Sequence, residues 1–113
     1  MTPDPALLDR ARLAAQTFDD AELAREVLDL FRMQMRRLPP LVAEGGDAKA
    51  RIDAAHTLKG SARGVGALRV AACAEACEQA LRDGAEPQAA LAALMQALEE
   101  TEAEIASHLA APR

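Results

Sequence analysis

The chain has 113 residues and a formal net charge of −5, and aromatic residues make up only 2 % of it. This length allows a single domain, and the negative charge excludes the broad basic surface with which proteins bind nucleic acid. No run of about 18 apolar residues occurs, which excludes a transmembrane helix. The opening residues lack the basic and apolar regions of a secretory signal, so we expect a cytoplasmic protein.

Apolar residues recur at helical spacing in successive segments of an alanine- and leucine-rich chain. Both residues favour helices, whereas the β-branched and aromatic residues that favour strands are scarce. The predicted helices cover residues 5–16, 20–43, 48–64, 68–82 and 87–109. Short connections make neighbouring helices antiparallel. The sequence therefore predicts an all-α fold, an antiparallel up-down four-helix bundle with a short additional N-terminal helix, forming one domain over residues 1–113.

Caps and helix breakers set the ends of these segments. The first helix is expected to begin after an N-cap at Asp4, with Pro5 at its first position. Acidic residues at 19–20 begin the second helix, and Pro39 and Pro40 are expected to kink it because proline lacks an N–H donor. The apolar stripe of this helix is predicted to comprise Leu23, Val27, Leu30, Phe31, Met35 and Leu38. Beyond the last helix, residues 110–113 resemble a loose tail.

Two cysteines, Cys73 and Cys77, stand four residues apart on the fourth predicted helix. A disulfide within one helical turn is geometrically awkward, and two thiols are too few for a zinc site. We therefore expect both cysteines to be buried core residues.

The stretch over residues 56–66, His-Thr-Leu-Lys-Gly-Ser-Ala-Arg-Gly-Val-Gly, carries the functional signal. His56, Lys59 and Arg63 share one face of the third helix, and Gly60 leaves a point on that helix without side-chain bulk. An imidazole nucleophile, nearby cations and open space are what a phosphoryl group on histidine requires. The buried stripe of the helix is formed by Ala55, Leu58, Ala62 and Val65. His56 lies away from this stripe and is therefore expected to face solvent.

The fourth helix supplies a second residue to this site. If the turn between the two helices is centred on residues 65–67, the hairpin register places His56 opposite Glu78 and Lys59 opposite Glu75. A carboxylate at Glu78 accepts a hydrogen bond from the Nδ1–H group of His56. That bond fixes the tautomer of the ring and leaves the Nε2 lone pair directed outward.

The pattern H-x-L-K-G followed by S-A-x-x-x-G resembles the histidine-containing phosphotransfer (HPt) domains of bacterial multistep phosphorelays. The resemblance extends over nearly the whole chain through the number of helices and the positions of the loops. It implies that His56 accepts a phosphoryl group from an aspartate of a response-regulator receiver domain and passes it to another receiver. The family also carries glutamate or glutamine at the offset of Glu78, and some members carry a basic residue near the offset of Arg82.

By this resemblance the chain is a relay intermediate without kinase activity and without an ATP site. We expect no cofactor or metal of its own, since the receiver domain brings Mg²⁺. Lys59 is expected to pair with a phosphoryl oxygen, and Gly60 to allow close approach of the partner or the phosphate. Arg63 and Arg82 are possible supporting charges.

The expected partners are receiver domains, a hybrid histidine kinase, or both, and the chain is expected to be a monomer. The candidate docking residues around His56 are Ile52, Lys49, Met33 and Arg36. Ile52 has a second interpretation, because an isoleucine at that angle also makes a flank contact with the neighbouring helix.

Three other functions remain open from the sequence. The chain could be the phosphoacceptor module of a kinase, phosphorylated directly by a catalytic domain, although a start at Met1 and a loose end favour a free-standing protein. It could also be a helical adaptor that binds a regulator without chemistry, although such variants usually lack the histidine or the lysine. A metal-binding bundle that uses Cys73 and Cys77 is a distant alternative.

Overall fold

Helices account for most of residues 4–111, which are the residues that the computed structural model describes. The helices are α1 (Arg10–Gln16), α2 (Ala21–Glu44), α3 (Ala48–Val65), α4 (Leu68–Arg82) and α5 (Gln88–Ala110). The predicted all-α fold is confirmed, as an antiparallel bundle of four long helices preceded by a short one. Helix α5 continues into the segment predicted to be a tail, and residues 112–113 lie outside the described part. None of the described helices is long and apolar enough to cross a membrane.

The helices of the bundle pack unequally against one another. Helix α3 lies between α2 and α4 and packs closely on both, and α4 packs on α5. Helices α2 and α5 close the bundle with fewer contacts, so the seam between them is the most open. Helix α1 lies against α2 and α3 at one end. The α3–α4 seam and the α2–α5 seam therefore lie on opposite sides of the bundle.

Small side chains allow α3 and α4 to approach closely. The buried stripe of α3 includes Ala55 and Ala62, and that of α4 includes Ala71 and Ala74, each at most 4 % exposed. Larger apolar residues from the other helices fill the rest of the core, including Leu28, Leu94 and Ile105. The close approach of α3 and α4 brings side chains on the flanks of these two helices into direct contact, and the functional site lies there.

The predicted start of the first helix at residues 4–5 is wrong. Helix α1 begins after an N-cap at Asp9, whose carboxylate accepts the N–H of Arg12. The preceding residues bind the α3–α4 turn instead. The Asp9 N–H donates to the Gly66 carbonyl at 2.8 Å, and the Arg69 N–H donates to the Ala6 carbonyl at 3.0 Å. These backbone bonds keep the leading segment out of a helix.

Gly66 is required by the same contact. It ends α3 in the left-handed conformation, with φ of 86°, which favours glycine because it has no Cβ. A Cβ at this position would lie 2.6 Å from the Asp9 carbonyl oxygen. The turn between α3 and α4 is therefore fixed both by its conformation and by the leading segment packed against it.

Helix α2 differs from its prediction in which residues it buries. It continues through Pro39 and Pro40 to Glu44. Leu30, predicted in the apolar stripe, is 63 % exposed, whereas Leu28 is fully buried. The core-facing side of α2 is centred on Leu28 and Phe31, because α2 lies against both α3 and α5 and turns its flank at Leu30 to solvent.

Candidate functional site

His56 projects from the flank of α3 that faces α4. Its side chain is 63 % exposed, and its Nδ1 atom lies 3.1 Å from Oε2 of Glu78 on α4. An ionised carboxylate only accepts hydrogen bonds, so this contact is a hydrogen bond when Nδ1 carries the proton. A neutral ring in that tautomer has its lone pair on Nε2, the nitrogen on the far side of the ring from Glu78.

Glu78 is the buried centre of the site, with only 5 % of its surface exposed. Besides His56, its Oε2 atom accepts from Arg82, with Nε at 3.1 Å and Nη2 at 2.8 Å. Its Oε1 atom lies 2.7 Å from Nζ of Lys59. Lys59 and Glu78 therefore form a close ion pair. One carboxylate thus contacts two cations and an imidazole.

These contacts keep Glu78 ionised. Burial by itself raises the pKa of the Glu78 carboxyl, but the contacts from Lys59, Arg82 and His56 outweigh it and lower the pKa to about 2. The group is therefore a carboxylate at neutral pH, where it can accept a hydrogen bond from the Nδ1–H group.

The register predicted for this hairpin is correct for His56 and Glu78 but wrong for Lys59. Lys59 contacts Glu78 rather than Glu75, and Glu75 instead lies 3.5 Å from Arg63. The reason is the direction of helical side chains, which lean toward the helix N-terminus. Lys59 on α3 and Arg82 on α4 both lean back by one turn, and on antiparallel helices their charged ends converge on Glu78.

The outward face of α3 is bare beside the histidine. A Cβ built at Gly60 or Gly64 would meet nothing within 4 Å. Neither glycine is needed to pack α3 against its neighbours, and each costs about 0.5–1 kcal/mol of stability relative to alanine in a helix. Their absence of bulk leaves the backbone of α3 accessible along one side of His56.

The family model of the Hpt domain matches residues 5–108. The chain belongs to the Hpt domain family. Its function is that of a phosphorelay histidine carrier.

A solved structure agrees with this assignment. The Hpt domain resembles the crystal structure of the histidine phosphotransferase ShpA from Caulobacter crescentus, with a TM-score of 0.68 and 31 % sequence identity. The match covers 91 % of this chain and 94 % of that one. Curated proteins gave no significant match.

The four predicted docking residues are dispersed over this Hpt domain. Lys49 is exposed and forms an ion pair with Asp53 at 2.9 Å. Ile52 is half-buried and packs against the core, which favours its interpretation as a flank contact. Met33 is 61 % exposed. Arg36 lies in the groove between α2 and α5, away from the α3–α4 seam that carries His56, so its assignment to the surface around His56 is wrong.

The flank of α2 next to α3 carries different residues. Leu30 and Gln34 line a shallow groove there together with Ser61 and Val65 of α3. The sequence prediction missed them because Leu30 was assigned to the buried stripe. A helical projection centred on Leu28, Phe31 and Met35 would have placed Leu30 outside the buried stripe, but only the packed bundle shows that this flank faces α3.

Both cysteines of the Hpt domain are free thiols. Cys77 is buried as predicted, whereas Cys73 is half-buried. Burial and the neighbouring Cys73 raise the pKa of the Cys77 thiol to about 11, and burial also raises the pKa of Cys73. Both thiols are therefore protonated at neutral pH and weakly reactive. Within residues 4–111, His, Cys, Asp and Glu side chains form no group of three or more that could hold a metal ion.

Proposed function

We propose that His56 is the phosphorylated residue, and that it accepts a phosphoryl group from an aspartyl phosphate of one receiver domain and delivers it to an aspartate of another. The observation that carries this proposal is the contact between Nδ1 of His56 and the buried Glu78 carboxylate at 3.1 Å. A ring held at Nδ1 on an exposed side chain presents Nε2 to a partner as the nucleophile.

Transfer of the phosphoryl group can be written with His56, Glu78 and the receiver's aspartyl phosphate alone. The Nε2 lone pair attacks phosphorus, the bond from phosphorus to the aspartyl oxygen breaks, and the electron pair of that bond stays on the receiver's carboxylate. The proton on Nδ1 remains there, and the positive charge that develops on the ring is stabilised by the ionised Glu78. Delivery to the second receiver is the reverse reaction with a new aspartate, and Glu78 then holds the neutral ring in the same tautomer.

The charge balance around the ring favours an incoming phosphoryl group. Glu78 carries one negative charge, and Lys59 and Arg82 carry one positive charge each, so the cluster is cationic overall. The side chain of Arg82 is 53 % exposed and reaches the same oxygen as His56, whereas that of Lys59 is 14 % exposed. Arg82 is therefore the more accessible of the two supporting charges, and Lys59 holds Glu78 as well as adding positive charge. Arg63, one turn along α3, is paired with Glu75 at 3.5 Å, so this pair adds no net charge to the cluster.

Docking of the receiver is proposed to use the bare face of α3. Gly60 and Gly64 let a partner approach the helix backbone, and the exposed Leu30 on the adjoining flank of α2 offers an apolar contact. The receiver is expected to supply the Mg²⁺ that its own aspartate chemistry needs. A phosphorelay of this kind operates in the cytoplasm, where we expect the protein to act.

The test is phosphotransfer from a receiver domain labelled with radioactive phosphate on its aspartate. We expect the wild-type chain to take up the label, and the bond to be labile in acid and stable in base, as for a phosphoramidate. His56→Gln is expected to take up none, whereas His108→Gln, a matched change of the other histidine, is expected to behave as wild type.

Label on His56→Gln would contradict the proposal, as would label that is stable in acid. Incubation with ATP and an isolated kinase catalytic domain separates the relay from a kinase phosphoacceptor module. Labelling of His56 by the catalytic domain without any receiver would favour the module instead. A chain that binds receivers but takes up no label from any of them would be a non-catalytic adaptor.

A further inference from the structure

A groove follows the open seam between α2 and α5. Its volume is about 860 Å³. Met35 and Leu98 form its floor, each 8 % exposed, and Met95 stands on its edge with 56 % of its surface exposed. Methionine is flexible and polarisable and adapts to a partner surface. The groove thus combines an apolar floor with an exposed apolar residue, the usual composition of an interaction site.

The two edges of the groove carry opposite charges. The α2 edge has Arg32 and Arg36, and the α5 edge has Glu99 and Glu102, with Glu100 beyond them. Arg32 and Glu102 bridge the seam at 2.7 Å. Because α2 and α5 are antiparallel, this bridge puts Arg36, one turn further along α2, at the level of Glu99.

Arg36 and Glu99 are both available for an outside partner. Within residues 4–111 neither side chain forms an ion pair or a side-chain hydrogen bond, in contrast to the neighbouring Arg32 and Glu102. Each is an exposed charge at the edge of an apolar groove. A partner that fits must therefore offer an acidic group against α2 and a basic group against α5, at the same level along the groove.

A second copy of the chain meets this requirement. We propose that the protein forms a homodimer through this groove, related by a two-fold axis that runs along the groove. Rotation about that axis places α2 of one subunit over α5 of the other without changing its level. Arg36 then faces Glu99 of the partner subunit, and the symmetry creates this pair twice. A two-fold axis across the groove would instead set arginine against arginine, so the charge pattern selects one of the two arrangements.

The dimer leaves the phosphotransfer site free. The α2–α5 groove lies on the side of the bundle opposite the α3–α4 seam, so His56 of each subunit faces outward. The proposal replaces the monomer expected from the sequence, and it does not depend on the proposed role of His56. A dimer of this form presents two phosphorylation sites on opposite faces.

The test is the association state by sedimentation velocity over roughly a hundredfold range of concentration. We expect the wild-type chain to pass from monomer to dimer. Arg36→Glu and Glu99→Arg should each weaken the dimer by at least about tenfold, because each change sets like charges against each other twice. An equimolar mixture of the two variants should regain the dimer, since in the mixed dimer one pair has its charges exchanged and the other is the wild-type pair of Arg36 and Glu99. Arg37→Glu, an equal charge change at the neighbouring exposed position, should leave association unchanged.

The sedimentation and phosphotransfer results can support or overturn the homodimer. Helical circular dichroism equal to wild type shows that each variant is folded. A wild-type chain that stays monomeric at every concentration would overturn the proposal, and so would a mixture that dimerises no better than its components. If the chain is monomeric and Arg36→Glu instead abolishes transfer from a receiver domain, the groove binds the receiver. Under the dimer proposal, Arg36→Glu transfers phosphate at the wild-type rate.

Discussion

Replacement of Glu78 by glutamine tests the electrostatics of the site most sharply. Glutamine has nearly the shape of a protonated glutamic acid, so Glu78→Gln keeps an acceptor for His56 and removes only the negative charge. Lys59, which is 14 % exposed, loses its ion pair, and Arg82 loses a charge-assisted bond. We expect the folded protein to lose stability because the cations at this buried position are no longer neutralised.

The lowered pKa of Glu78 gives the magnitude. Contacts with its cationic neighbours lower that pKa from 4.5 to about 2, against the opposing effect of burial. Since one pKa unit corresponds to about 1.4 kcal/mol, the full shift corresponds to about 3 kcal/mol. Arg82 and His56 are more than half exposed, and water screens their share, so we expect about 2 kcal/mol at neutral pH.

The pH dependence follows from the direction of the shift. The folded pKa lies below the unfolded pKa, so the unfolded chain binds more protons between the two values. The contribution of Glu78 is therefore complete above about pH 5 and is lost as the pH falls from there toward 2. The difference in free energy of unfolding between wild type and Glu78→Gln should fall to about half or less by pH 3.

The assay is urea unfolding followed by helical circular dichroism at pH 7, 5 and 3, with the free energy of unfolding extrapolated to water. Glu75→Gln is the matched control, because Glu75 is on the same helix but its side chain is 58 % exposed. This control should change stability by no more than about 0.5 kcal/mol. A Glu78→Gln effect as small as the control, or one equal at pH 7 and pH 3, would refute the reasoning.

Three further predictions test the fold and the exposed face. Gly66→Ala should destabilise by about 2–3 kcal/mol, because of its positive φ and the backbone oxygen 2.6 Å from the added Cβ; Gly64→Ala, its helical control, should stabilise by about 0.5–1 kcal/mol. Leu28→Ala should cost about 2–5 kcal/mol in urea unfolding, and Leu30→Ala no more than about 0.5 kcal/mol. Gly60→Ala should raise the melting temperature yet slow transfer from a receiver by at least about tenfold, since a small displacement of the docked partner misaligns the reacting atoms. Equal costs for the two leucines, or an unchanged transfer rate for Gly60→Ala, would contradict these accounts.

Local signals in the sequence predict much of this fold. Helices α2 to α5 begin and end within a residue or so of the predicted limits, because prolines, glycines and Asp caps act over only one turn. Local signals do not predict the start of α1. Asp4 and Pro5 form a good local start signal, but backbone bonds from residues 6–9 to the α3–α4 turn keep the segment out of a helix. These bonds join residues about sixty positions apart in the sequence, so no local pattern predicts them.

The functional site likewise contains some features that local sequence predicts and others that depend on tertiary packing. Helical periodicity and the hairpin register bring His56 and Glu78 together, because both depend only on the length of one turn. The partner of Lys59 also depends on the direction of its long side chain, which points toward the N-terminus of α3. The hairpin register does not include this direction, so it predicts Glu75 rather than Glu78 as the partner. The docking residues required knowledge of which helices are neighbours of α2 on each side. Arg36 faces α5, as its groove shows, and only the packed bundle distinguishes that flank from the one facing α3.

The central claim is that Glu78 holds Nδ1 of His56 so that Nε2 carries the phosphoryl group. The most direct measurement is heteronuclear NMR of the phosphorylated, ¹⁵N-labelled protein, in which coupling to ³¹P identifies the imidazole nitrogen that is bonded to phosphorus. We expect this nitrogen to be Nε2 of His56, with Nδ1 still protonated. Phosphorus bonded to Nδ1, or to any residue other than His56, would contradict it.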